Sequence, residues 1–156
     1  MDFQISGLPA QSFQFLFTLT DDELEARSAI RMVANSNPGF PCRVSLQDAQ
    51  IGESVILVNY EHLAVVGPYR SRHAIFVREN AQDATLAVNE VPQVITRRLL
   101  SVRAFDAAGL MQEADVLPGT QLGEVASRML EREGTRFLHV HNAKPGCFAA
   151  RVDPVR

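Results

Sequence analysis

Apolar positions along the chain recur with two different periods, and the changes of period mark out the elements. Residues 54–60 form a run of mostly branched apolar side chains without polar alternation, which predicts a central strand covered on both faces. Residues 30–34 and 73–78 read as two further strands. Residues 99–105 and 110–117 flank Asp106-Ala107-Ala108-Gly109 and predict a hairpin. A second hairpin is expected over about residues 136–152, and a short strand followed by irregular chain over residues 2–17. Helical signals are fewer. Thr20 followed by Glu23 is a capping box, opening a helix that should reach about Ser28, with the acids of its first turn favoured by the helix dipole. Leu122, Val125, Ala126, Met129 and Leu130 make an apolar stripe on a helix predicted for residues 120–133, with Gly134 as its C-cap. A single helical turn is expected at residues 45–49, with Asp48 in the capping position, and a short helix with Pro92 in its first position reaching about Arg98. Residues 35–42, 61–72 and 79–91 read as loops. Repeats, low-complexity tracts and linkers are absent. Residues 1–156 are therefore expected to form one α+β domain: a mainly antiparallel sheet with hairpin connections and two principal helices.

Composition narrows the function classes. Hydrophobic residues at 46% and charged residues at 21% are ordinary globular usage. A formal net charge of -3 lacks the basic surface that nucleic-acid binding requires. No apolar run approaches the roughly 18 residues of a membrane span. Met1-Asp2-Phe3-Gln4 does not begin like a signal peptide, so a cytoplasmic protein is expected, with Cys42 and Cys147 as thiols.

Candidate chemistry gathers in the last hairpin, which carries His139, His141, Asn142, Lys144 and Cys147 around a Pro145-Gly146 turn. Strand alternation puts His139 and His141 on one face and Leu138 and Val140 on the other. The hairpin register decides the face of Cys147. An odd loop count, or a bulge, gathers His139, His141, Cys147 and Arg151 on one side and leaves Phe148, Ala150 and Val152 with Leu138 and Val140. An even count would set Arg151 among aliphatic side chains, which is costly, so the odd register is expected. A histidine near a cysteine can activate the thiol as a nucleophile, and the same groups are potential metal ligands. A histidine pair at this spacing is also common on ordinary half-exposed strands, and a lone cysteine is more often an inert buried thiol.

Other candidates lie further from the hairpin. Arg43 follows Cys42 in the turn-rich loop. Arg72 and His73 stand where a loop enters a strand, and arginines there can clamp a carboxylate or phosphate. His62 ends the central strand and reads as a simple exit into solvent. Glycine-rich phosphate motifs, H-E-x-x-H, G-x-S-x-G and C-x-x-C are all missing. The strings Pro38-Gly39-Phe40-Pro41-Cys42-Arg43-Val44-Ser45-Leu46, Arg72-His73-Ala74-Ile75-Phe76-Val77-Arg78 and His139-Val140-His141-Asn142-Ala143-Lys144-Pro145-Gly146-Cys147 resemble a bacterial family of small single-domain proteins catalogued only as a domain of unknown function. That resemblance implies a bacterial, stand-alone domain and brings no activity with it.

The leading expectation is a protein or enzyme that binds a small anionic molecule without a cofactor. His139, His141 and Cys147 would supply acid–base or nucleophilic groups; Arg43, Arg72, His73, Asn142, Lys144 and Arg151 would bind the ligand. The alternatives are a metal-binding protein using His139, His141 and cysteine, and a non-catalytic interaction or oligomeric module.

Overall fold

The computed structural model describes residues 1–156, and its strands form two antiparallel sheets rather than the one expected. The first contains β1 (Phe3–Ser6), β5 (Leu99–Phe105), β6 (Met111–Pro118), β7 (Phe137–Asn142) and β8 (Phe148–Pro154), in the order β1-β8-β7-β5-β6. The second contains β2 (Ala29–Val33), β3 (Ser54–Leu63) and β4 (Ser71–Arg78), with β3 in the middle. No helix is long and apolar enough to cross a membrane.

Helix is sparse. Only α3 (Leu122–Glu131) exceeds two turns; it buries Leu122, Ala126, Met129 and Leu130 of its predicted stripe. The other expected principal helix is the short α1 (Asp21–Glu25), which carries the full capping box between Thr20 and Glu23 and is over three residues before the expected end. Ser28 adopts a left-handed φ of 54°, which turns the chain directly into β2. α2 (Gln93–Thr96) follows Pro92, which stands at the N-cap. The turn predicted at residues 45–49 is not helical. Its backbone bonds return to residues 40–42 instead, through Ala49 N–H to Phe40 C=O at 2.9 Å and Cys42 N–H to Gln47 C=O at 3.0 Å. Asp48 caps nothing; its buried carboxylate takes both Arg97 and Arg98.

Each sheet has its own core. On the first, Leu138 and Val140 of β7 join Ala150 and Val152 of β8, Val102 of β5 and the α3 stripe in one apolar layer. On the second, Ile56 and Val58 of β3 and Ile75 and Val77 of β4 pack on Phe13, Leu16, Leu24 and Cys42. β3 is the central strand that the sequence implies, with Val55 and Ile56 both fully buried. Its cover is incomplete, however: Leu57 is only half-buried and looks into an open cleft. The second face of the five-stranded sheet is therefore free to meet the three-stranded one, and there the histidines collect.

Candidate functional site

β7 is buried along its whole length, so its two faces must each find a partner. The odd face of β7 carries Phe137, His139 and His141. Across β8, Leu138 pairs with Val152, His139 with Arg151 and Val140 with Ala150. This is the odd register. It then breaks: His141 pairs with Phe148, which leaves Ala149 as a bulged residue. The bulge transfers Phe148 to the histidine face, against expectation, where its ring centroid lies 5.0 Å from that of His139. It also removes Cys147 from that face. Asn142 N–H donates to Cys147 C=O at 2.9 Å, so Cys147 stands beside Asn142 and not beside the histidines.

A second bulge completes the cluster. Glu61 pairs with Arg72 but Leu63 pairs with Ser71, leaving His62 as the extra residue of β3. A bulge re-aims the side chain it carries. His62 accordingly turns inward instead of leaving for solvent: its ring stacks on Phe148 at 5.1 Å and on His73 at 4.8 Å. All four histidines of the chain thus form one group. His62 Nε2 lies 2.7 Å from His73 Nδ1, and His62 Nδ1 lies 3.4 Å from His139 Nδ1. His141 Nδ1 is 3.0 Å from the carbonyl oxygen of Gly146, while its buried Nε2 has no partner.

The group is electrically neutral at pH 7. Burial pushes His139 down to about 3, reinforced by His62, His141, Arg151 and Arg103. Burial likewise takes His141 to about 3, with the Gly146 carbonyl opposing, and His62 to about 4, with His73 and Arg103 adding to the effect. His73 is lowered by burial and by the charges of Arg103 and Arg43. No carboxylate is hydrogen-bonded to any of the four imidazoles.

Beside the cluster lies a cleft of about 590 Å³ between the two sheets. His73 alone of the four histidines lines it, with Arg43, Arg97, Arg98, Lys144, Asn142 and Cys147, over a floor that includes Leu57 and Phe76. Arg43 is 2% exposed and has no acidic partner. It donates to the carbonyls of Phe148 at 2.7 Å and Pro41 at 2.5 Å, and to Cys147 Sγ at 2.9 Å. Burial lowers the Arg43 pKa, and the Cys147 sulfur opposes that shift.

Of the candidate residues, the cleft brings together Arg43, His73, Asn142, Lys144 and Cys147. His139 and His141 stand behind it, in the imidazole cluster. Arg72 and Arg151 belong to neither. Arg72 pairs with Glu61 at 3.0 Å, and Arg151 forks onto Asp153 and covers the Phe137 ring at 4.0 Å. His62, Arg97, Arg98 and Phe148 were missed as site residues. Only a strand-end position hinted at His62, and nothing local in the sequence marks the two arginines.

No curated protein and no solved structure matches the chain. A family model described as a protein of unknown function, DUF1203, matches residues 39–154, a stretch that holds all four histidines and every cleft residue, and the chain belongs to that family.

Proposed function

We propose that the protein binds a small molecule with an anionic head and an apolar body in the cleft between the sheets. One observation carries this reading: four cationic side chains, Arg43, Arg97, Arg98 and Lys144, line the cleft and no aspartate or glutamate does, in a chain of net charge -3. A fixed guanidinium fork suits a carboxylate or phosphate. Leu57, Phe76 and Leu99 offer the apolar part of the ligand a dry surface. Arg43 spends its donors on protein carbonyls and a sulfur, and Arg98 on Asp48 and the Val94 carbonyl, so both set the local charge, while Lys144 and the more loosely held Arg97 reach the ligand. Where the cleft performs chemistry, Cys147 is its nucleophile, held against Arg43.

Thermal unfolding with benzoate and phenyl phosphate, against benzamide and benzyl alcohol, tests the reading. The two anions should raise Tm, an effect that weakens as salt is added. Lys144→Gln combined with Arg97→Gln should abolish most of that rise. Equal responses to the neutral and charged probes would overturn the assignment. Alkylation by iodoacetamide should be far faster at Cys147 than at Cys42, which is 1% exposed; equally slow labelling removes the nucleophile from the proposal.

A further inference from the structure

We propose that His62, His139 and His141 together bind one transition-metal ion, zinc or a first-row neighbour. The cleft reading does not require this ion, and the two can fail separately.

The argument begins with placement. Nitrogens of these three residues lie within 4.8 Å of one another, although they come from strands of two different sheets. His62 Nδ1 and His139 Nδ1 are 3.4 Å apart. That is a long separation for a hydrogen bond, but it matches two ligands of one ion. Metal–nitrogen bonds of about 2.0–2.1 Å at tetrahedral angles set ligand atoms about 3.3 Å apart. Binding one ion requires the third imidazole to move in from the remaining spread of up to 4.8 Å.

The second observation is the state of His141. A carbonyl oxygen can only accept, so His141 Nδ1 carries the proton it shares with Gly146. Nε2 of the neutral ring then presents a lone pair. The residue is 0% exposed and that nitrogen has no donor. A buried acceptor left unpaired is destabilising, and an aromatic packing role alone would leave that cost uncompensated. An ion bound at Nε2 satisfies it. A backbone carbonyl on the far nitrogen is also the usual outer partner of a metal-bound histidine.

His73 supplies the same service to His62. With His62 donating from Nε2 to His73 Nδ1 at 2.7 Å, its Nδ1 is left free to ligate. His73 is thus a positioning residue, and it is also the link between the ion and the cleft. The donor set identifies the class of ion. It is all imidazole, which suits zinc, copper, iron, cobalt or nickel, and it offers no oxygen to calcium or magnesium. Neither cysteine takes part: the Cys147 sulfur is engaged by Arg43, and Cys42 lies in the core of the three-stranded sheet.

Metal content of the purified protein, followed by removal with a chelator and titration with cobalt(II), provides the test. One equivalent of cobalt should give visible d–d bands without a sulfur charge-transfer band. His141→Gln and His62→Gln should lose the bands, while Cys147→Ser and Cys42→Ser retain them. His73→Gln should keep the stoichiometry but weaken affinity by about 10–100-fold, as loss of an outer partner does. A readout that does not depend on the folding of any variant comes from imidazole ¹⁵N shifts of the wild-type protein during zinc addition; His62, His139 and His141 should move together. Absence of one-to-one binding at micromolar metal, a sulfur band, or ¹⁵N shifts confined to other residues would each overturn the site.

Discussion

Asp48 is where a single carboxylate governs both the stability of the fold and the charge of the cleft. Its side chain is 3% exposed and accepts from Arg98 Nη2 at 2.6 Å, from Arg98 Nη1 at 3.2 Å and from Arg97 Nη1 at 3.4 Å. Removing one partner of a fully buried ion pair costs about 3–5 kcal/mol. The arginine side chains are 19% and 36% exposed, so water takes up part of the loss. Arg97 in particular behaves as a surface partner, worth at most about 1 kcal/mol. Asp48→Ala should therefore cost about 2–4 kcal/mol, most of it through Arg98, and Arg97→Gln no more than about 1 kcal/mol. Urea unfolding at pH 7 and 25 °C measures both. The same change releases two cations at the edge of the cleft, so Asp48→Asn should bind benzoate more tightly while being less stable. A loss under about 1 kcal/mol for Asp48→Ala, or equal costs at Arg97 and Arg98, would refute the assignment of Asp48 as a buried anchor.

Thr20→Ala should cost about 1 kcal/mol in the same assay, because Thr20 Oγ1 accepts from Glu23 N–H in the capping box. Gly119→Ala should cost about 3 kcal/mol, the upper end for overpacking, since an added Cβ would overlap the carbonyl oxygen of Ile95; a near-neutral result would show that this turn yields. In chelator, stability should fall on acidification. His139 and His141 are held near 3 in the fold and near 6.5 once unfolded, so the unfolded chain binds more protons between those values. Their contribution is complete above about pH 6.5 and is lost as pH falls, by about 2 kcal/mol each between pH 7 and pH 5. Unfolding free energies that do not change over that range would show that these imidazoles are hydrated.

The half of the site that came from local pattern was readable in the chain. Alternation over residues 137–142 put His139 and His141 on one face of a strand and Leu138 and Val140 on the other, and that division holds. The capping box at Thr20, the α3 stripe and both C-terminal hairpins were readable for the same reason: period, caps and turn residues act over a few positions. Two one-residue bulges and the meeting of two sheets decided the rest. The bulge at Ala149 moved Phe148 onto the histidines and took Cys147 away from them, because a shift of one residue reverses every later side chain. The bulge at His62 turned inward a residue that reads, from its place at the strand end, as an exit into solvent. His62 lies 77 residues from His139, and Arg43 lies 104 from Cys147, so no local window could pair them. Sequence set which faces were apolar; only the packing of one sheet on the other decided which polar groups would be buried together.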